Sequence, residues 1–269
     1  MLEALPTALW ATVWSGLSSD PSVRALYAAG IVPILSRLVL EGTPGPFPAT
    51  AAAGAEGTFQ FVRADDGRFL LEMWSNLSAL KGSTYAPRGA ARGIVPELAG
   101  SVFAEHVLTR PFAPAGERRV TSLNFEGAPE IREVPSARTP VDALAAVPEG
   151  ARPLEPARSI DPVPITFGVV HTDSNLHVNS LVYLRLFEEA ALRRFVALGL
   201  GAAFLGRAID IAYRKPSFVG QTVRVVQQAF EAAGRLGVGA VLVAENDTVS
   251  DDALAAARPL AYVRMQFEA

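Results

Sequence analysis

The chain has 269 residues, of which 50% are hydrophobic and 19% are charged, and its formal net charge is −3. This length suits one large domain or two of ordinary size, and the near-balanced charge gives no electrostatic footprint for nucleic acid. The absence of cysteine excludes disulfides, thiolate zinc sites and cysteine nucleophiles. With only three histidines, a multi-histidine metal site is not expected either.

The N-terminal segment does not have the pattern of a secretion signal, because Glu3 stands where such a signal carries positive charge. The most apolar stretch lies between Arg24 and Arg37, which is shorter than the roughly 20 residues of a membrane-spanning helix. We therefore expect a cytoplasmic protein that does not enter a membrane.

The first half predicts a buried helix followed by strands. Residues 22–40 are apolar on nearly every face, which is typical of a helix inside a protein, although Pro33 is expected to kink or break it. Alternating apolar residues in 57–63 and 68–80, joined by an Asp-Asp-Gly turn signal, predict a hairpin. A further strand fits residues 101–110.

A proline-rich segment without aromatic residues, 126–160, predicts a connector over the surface, with a short helix near 140–146. It divides the chain into an N-terminal unit, 1–125, and a C-terminal unit, 161–269.

The second half predicts a strand, a buried helix and four more strands. Residues 164–170 read as a strand, and residues 179–198 are strongly helical, with Arg194 alone breaking the apolar faces and expected to extend its charge to solvent. Four strands are then predicted at 207–215, 220–231, 236–245 and 259–268. Two units with antiparallel sheets around a long helix imply an α+β architecture.

Polar residues concentrate between the strand at 164–170 and the following helix: Asp173, Asn175, His177, Asn179 and Ser180. Asn179 or Ser180 suits the N-cap, so the first helical N–H groups would face whatever lies beside them. An ester or thioester oxygen that becomes anionic would be stabilised there, and Asp173 or His177 can activate water. The alternative is that these residues only cap and turn the chain.

The order of these residues resembles the signature of hot-dog thioesterases, and most closely that of acyl-carrier-protein thioesterases. The family pattern Asp-x-Asn-x-His-Val-Asn-Asn-x-x-Tyr stands here as Asp173-Ser-Asn175-Leu-His177-Val178-Asn179-Ser180-Leu-Val-Tyr183. The following Phe187-Glu188-Glu189-Ala190 is similar to the helix of the 4-hydroxybenzoyl-CoA thioesterase group.

The resemblance covers roughly residues 160–269, and it extends to the first half by architecture alone. It implies two hot-dog units, each an antiparallel sheet wrapped around a long buried helix. The site is expected in the second unit, because the first has no Asp-x-Asn-x-His run and is interpreted as degenerate.

The resemblance also implies roles for the residues. Asp173 and His177 would act on water or the acyl carbonyl, and Asn175 would orient the substrate or the water. Backbone N–H groups near Ser180 and Leu181 would hold the oxyanion, and Asn179 is a weaker candidate for substrate contact that also suits the helix cap.

One departure from the plant carrier-protein enzymes lies on the strand after the helix. Their proposed catalytic glutamate is replaced by Pro216, in the run Tyr213-Arg214-Lys215-Pro216-Ser217. Arg214 and Lys215 are expected to meet the phosphates of the substrate, and Ser217 either hydrogen-bonds the substrate or simply turns the strand.

The sequence thus predicts a thioesterase of lipid metabolism that cleaves an acyl-CoA or acyl carrier protein thioester, with no cofactor and no metal. The alternatives are a non-catalytic acyl-binding hot-dog protein and an acyl transferase or dehydratase on the same fold. Neither nucleic acid nor a membrane is expected as a partner, and a homodimer is left open.

Overall fold

The computed structural model of the chain divides into two compact units, Met1–Arg138 and Thr139–Ala269. It describes residues 2, 5–45, 47, 53–81, 95–133, 140–174 and 176–268.

The first unit begins with a helix, α1, made of three consecutive stretches, Pro6–Leu9, Trp10–Trp14 and Ser15–Leu17, the middle one with π-helical hydrogen bonding. The further regular elements described in this unit are α2 (Pro21–Ala28), β1 (Val32–Gly42), β2 (Ala53–Arg63), β3 (Phe69–Ala79), β4 (Glu97–Thr109), a 3₁₀ turn (Ala115–Glu117) and β5 (Arg132–Glu133).

The sheet of the first unit has the order β5-β2-β3-β4-β1, antiparallel except for the short parallel pair β2–β5. Helix α1 lies close against one face of this sheet. A Cβ on Gly57 would meet the side chains of Thr12 and Val13, and one on Gly100 would lie 2.7 Å from the side chain of Leu5. Glycine at these two positions therefore lets the helix approach the strands.

The prediction of a buried helix over residues 22–40 is wrong. Only α2, Pro21–Ala28, is helical there, and β1 begins at Val32. Gly30 has a left-handed φ of 71°, which ends the helix, and Pro33 cannot continue one. The helix against the first sheet is α1 instead, and it buries Ala8, Leu9, Val13 and Leu17.

The hairpin and strand predictions for the first half are confirmed. β2 and β3 pair in register from Arg63↔Phe69 to Ala53↔Ala79. The turn between them is closed by the Gly67 amide, which donates to the Ala64 carbonyl at 2.8 Å. The strand predicted at 101–110 is the longer β4, Glu97–Thr109.

The second unit has one long helix, α3 (Ser180–Ala197). Its other regular elements in the described residues are a 3₁₀ helix (Val141–Ala145), β6 (Arg152–Pro153), β7 (Ser159–Ile160), β8 (Ile165–Thr166), a 3₁₀ turn (Val169–His171), β9 (Leu205–Tyr213), β10 (Thr222–Ala232), β11 (Arg235–Ala244), a 3₁₀ helix (Glu245–Thr248), α4 (Asp251–Ala256) and β12 (Ala261–Glu268).

The sheet of this unit has the order β9-β12-β11-β10, and the short strands β6, β7 and β8 pair with β10. Residues 139–160 thus belong to the second unit, since β6 and β7 add to its sheet. The predicted strand at 164–170 is only partly correct. It ends after Thr166, because the chain turns at Gly168 into a 3₁₀ helix.

Helix α3 supplies the aromatic core of the second unit. The ring of Phe195 makes edge contacts with Phe204 at 5.6 Å and with Phe267 at 5.2 Å between centroids. Gln227 of β10 donates from Nε2 to the Ala190 carbonyl at 2.9 Å. This architecture is the predicted α+β one, an antiparallel sheet packed on a helix in each unit. None of the described helices is long and apolar enough to cross a membrane.

Candidate active site

The segment before α3 is fixed to the connection between β9 and β10. The Phe167 amide donates to the Gln221 carbonyl at 3.0 Å, and the Gly220 amide donates to the Phe167 carbonyl at 2.8 Å. Further along, the Val178 amide donates to the Ser217 carbonyl at 2.9 Å. These bonds hold both ends of the segment that the motif identifies.

Between these anchors the chain makes a tight turn that brings Asp173 and His177 opposite each other. The Asp173 amide donates to the His177 carbonyl at 2.9 Å, and the Leu176 amide donates to the Asp173 carbonyl at 3.1 Å. Thr172 and Val178 pair as an isolated antiparallel bridge below the turn. Asn175, the remaining member of the predicted catalytic set, lies outside the described residues.

Asp173 and His177 are both exposed. The imidazole of His177 stands edge-on to the ring of Phe218, with centroids 5.2 Å apart and planes at 81°. This contact restricts the orientation of the imidazole without burying it.

The nearby His171 has a structural role. Its Nδ1 accepts from the Gly168 amide at 2.8 Å, which closes the 3₁₀ turn, and its carbonyl accepts from the Asn179 amide at 2.8 Å. In the neutral ring the proton therefore resides on Nε2.

Asn179 caps α3, as predicted. Its Oδ1 accepts from the Leu181 amide at 2.9 Å, and its carbonyl accepts from the Val182 amide at 3.0 Å. The Ser180 amide makes no hydrogen bond to any residue that the structure describes. Of the two amides expected at an oxyanion pocket, that of Leu181 is therefore bonded to the cap. That of Ser180 has no hydrogen-bond partner among the described residues.

The residues after β9, where Pro216 departs from the family pattern, differ in their solvent exposure. Arg214 and Lys215 are exposed, and their amides both donate to the Leu260 carbonyl, at 2.8 and 3.3 Å. Ser217, by contrast, is fully buried, and it lies within hydrogen-bonding reach of the Tyr183 hydroxyl. A direct contact between Ser217 and a substrate is therefore not available at the surface.

Two tyrosines, the buried Tyr183 and the partly buried Tyr213, support the start of α3, a contribution that the sequence interpretation missed. The Tyr213 hydroxyl donates to the Ser180 carbonyl at 3.1 Å, and the rings of Tyr183 and Tyr213 meet at 88° with centroids 5.4 Å apart. Burial raises the pKa of both phenols, so both remain protonated donors. The only signal in the sequence was the position of Tyr183 in the family pattern.

Apolar side chains surround the turn. Val170 is 91% exposed and Leu176 is 71% exposed, and they are joined by the exposed residues Val169, Phe218 and Val219. Exposed apolar groups on adjoining segments are typical of a surface that binds an apolar ligand or partner.

No protein-family model and no curated protein matches this sequence. Solved structures do match its fold. The whole chain, 100%, superposes on 88% of a Lactobacillus plantarum protein assigned as an oleoyl thioesterase, with a TM-score of 0.61 and 14% identity.

A second match is the 12:0-ACP thioesterase from Umbellularia californica, in which 91% of this chain covers 76% of that one with a TM-score of 0.51 and 11% identity. Identities this low establish the fold and not the chemistry. In its fold, this chain resembles the double hot-dog thioesterases.

Proposed function

We propose that the chain hydrolyses an acyl thioester, either an acyl-CoA or an acyl carrier protein ester, at the Asp173–His177 turn. One observation carries this proposal: a backbone hydrogen bond across a tight turn brings Asp173 and His177, two residues capable of acid–base catalysis, next to each other just before α3. The first amide of that helix, that of Ser180, has no hydrogen-bond partner among the described residues. The solved structures with a similar fold support it, because both of those proteins are named as thioesterases.

The chemistry follows from these parts. Asp173 or His177 removes a proton from water as its oxygen attacks the thioester carbon. The carbonyl oxygen becomes anionic, and the Ser180 N–H at the positive end of α3 donates to it. When the C–S bond breaks, the proton held by the base passes to the departing thiolate, which leaves a carboxylic acid and a free thiol.

The substrate would be held by two kinds of surface. The exposed guanidinium of Arg214 and ammonium of Lys215 suit the phosphates of CoA or of a phosphopantetheine arm. The exposed apolar side chains near the turn, such as Val170 and Leu176, suit the acyl chain. A cytoplasmic location belongs to the same proposal, and dimerisation stays a prediction.

The test is the release of free thiol from a panel of acyl-CoAs and acyl carrier proteins. A thiol reagent is well suited, because the chain has no cysteine and adds no background. Asp173→Asn is expected to lower kcat/KM by about 10²–10⁴-fold, the usual contribution of an acid–base group. Its folding stability should change little, because Asp173 is exposed.

Asp252→Asn is the matched control, since Asp252 is an exposed aspartate of α4 in the same unit. It should retain full turnover. Equal activity of the two variants, or a loss of activity in Asp173→Asn that follows from unfolding, contradicts the assignment of Asp173.

A second candidate, a non-catalytic acyl-binding protein, is favoured by one specific observation: Pro216 stands where the plant enzymes carry a glutamate. Proline has no group that can transfer a proton. Tight binding of acyl-CoA without cleavage of any thioester in the panel would establish this second function.

A further inference from the structure

The first unit contains a cavity of about 400 Å³ that is separate from the Asp173 loop. It lies between the turn that joins β2 to β3 and the segment that follows β4. Leu108 and Val120, both buried, form an apolar floor, and Ala115 forms part of the wall. Cavities of this size with apolar floors and a few polar groups are typical of sites for small organic ligands.

The rim of this cavity carries three guanidinium groups and one carboxylate, those of Arg68, Arg118, Arg119 and Asp66. Arg68 Nε pairs with Asp66 Oδ2 at 2.6 Å. In the part of the chain that the structure describes, neither Arg118 nor Arg119 forms an ion pair. The lining therefore has three guanidinium groups against one carboxylate, that of Asp66, which also interacts electrostatically with Arg119.

The backbone and its carbonyl groups hold these arginines in place. The Arg118 carbonyl accepts from Thr109 Oγ1 and from the Arg110 amide, both at 2.9 Å. Arg118 Nε donates to the Ala113 carbonyl at 3.0 Å, and Arg119 Nη2 donates to the Asp66 carbonyl at 2.5 Å. Each guanidinium is thus anchored through one edge, and its remaining N–H groups can bind an anion in a forked geometry.

We propose that this cavity binds a small phosphorylated molecule, with its phosphate on Arg118 and Arg119 and its apolar part against Leu108 and Val120. The volume exceeds what a lone phosphate fills, so an organic group beside the phosphate has room in the cavity. The site does not depend on the proposed thioester hydrolysis, because none of its lining residues belongs to the Asp173 loop.

The probes are inorganic phosphate and ADP, titrated separately into the ¹⁵N-labelled full chain at low salt. Both are expected to shift the backbone amide signals of residues 66–68 and 107–120 saturably, with ADP binding more tightly because it fills more of the cavity. Phosphate binding as tight as that of ADP would overturn the organic part of the proposal. Absence of saturable shifts with both probes, or shifts confined to the second unit, would overturn all of it.

Arg118→Ala should weaken the binding of both probes at least tenfold. The affinity of Arg118→Lys should lie between those of Arg118→Ala and the natural chain, because lysine keeps the charge but loses the forked guanidinium geometry. Arg235→Ala, an exposed arginine of β11 outside the cavity, is the charge-matched control and should bind normally. Unchanged binding by a folded Arg118→Ala overturns the site. The shift map of the natural chain decides the matter if that variant does not fold.

Discussion

Leu176 carries the backbone strain of the candidate active site. Its φ of 62° lies in the left-handed region, which costs an L residue about 1–2 kcal/mol. Leu176→Gly removes that cost, partly offset by the greater freedom of glycine in the unfolded chain. We expect the Tm of Leu176→Gly to be equal to that of the natural chain or slightly higher. Leu176→Val should lower the Tm, because valine is β-branched and tolerates a left-handed φ poorly. Thermal unfolding measures both.

Leu205→Gly is the control, because Leu205 is similarly exposed, at 63%, but lies in the extended strand β9. Glycine should destabilise that position. If Leu176→Gly loses as much stability as Leu205→Gly, the strain at the turn is not significant.

The motif could predict that Asp173 and His177 lie close together, because three residues between them allow a turn. It could not predict the strain, since leucine is not a residue type that favours a left-handed φ. Nor could it show that Asn179 occupies the Leu181 amide and leaves that of Ser180 open. That distinction depends on a side-chain rotamer, which spacing does not specify.

His106 of β4 makes the first unit sensitive to acid. Its imidazole is buried against Trp14, its Nδ1 has no hydrogen-bond partner among the described residues, and burial lowers its pKa to about 4. The fold thus favours the neutral ring, while the unfolded chain has a pKa of about 6.5. We therefore expect the neutral ring to make its full contribution to the free energy of unfolding above pH 6.5, and this contribution to fall by about 3 kcal/mol as the pH drops towards 4.

His106→Gln should therefore flatten the decline of unfolding free energy between pH 6.5 and pH 4, measured by urea unfolding. His177→Gln is the matched control, because His177 is exposed, and it should retain the slope of the natural chain. A slope that persists in His106→Gln would assign the acid sensitivity to other groups.

At the scale of elements, the sequence predicts α3 well and the helix of the first unit poorly. Helix α3 is 18 residues long and follows the Asn179 cap, and the sequence shows both features. Helix α1 is short and interrupted by π-helical hydrogen bonding at Trp10–Trp14, which shifts the helical period. The apolar run after it combines α2 and β1, and composition alone does not separate a buried strand from a buried helix.

Glu155 of the connector and Asp161 just after it pair with the end of α3 through two partly buried ion pairs, which the sequence could not indicate. Arg194, expected only to reach solvent, binds Glu155 through Nε at 3.1 Å. Arg193 binds Asp161 through two bonds, Nε–Oδ1 at 3.0 Å and Nη2–Oδ2 at 2.6 Å. The carboxylates lie in a proline-rich segment without periodicity, more than 30 residues from the helix end.

The Arg193–Asp161 pair should respond unequally to its two deletions. The Asp161 side chain is 0% exposed, whereas that of Arg193 is 32% exposed. Arg193→Ala leaves a buried carboxylate without its partner and should cost about 3–5 kcal/mol. Asp161→Ala leaves a guanidinium that water can reach, so its cost should be smaller. Urea unfolding of both variants and of the double variant gives the comparison, and equal costs would contradict the asymmetry.

At the scale of the whole molecule, two units of similar architecture carry different chemical groups. Helix α3 follows a polar turn and has a side-chain cap, whereas α1 begins at Pro6 after Leu5 with no side-chain cap. The Asp-x-Asn-x-His run occurs only in the second unit. The sequence could predict this difference, because it depends on residue identity and not on packing.

We therefore expect one thioester site per chain. The Asp173→Asn chain should bind one equivalent of a phosphate-free S-acyl pantetheine, measured by titration calorimetry. Such a ligand has no phosphate for the cavity of Arg118 and Arg119, so binding there does not contribute. The acyl-CoA with the same chain carries phosphates and should show a second, weaker equivalent that Arg118→Ala removes. Two equivalents of the phosphate-free ligand would mean that the first unit binds acyl groups after all.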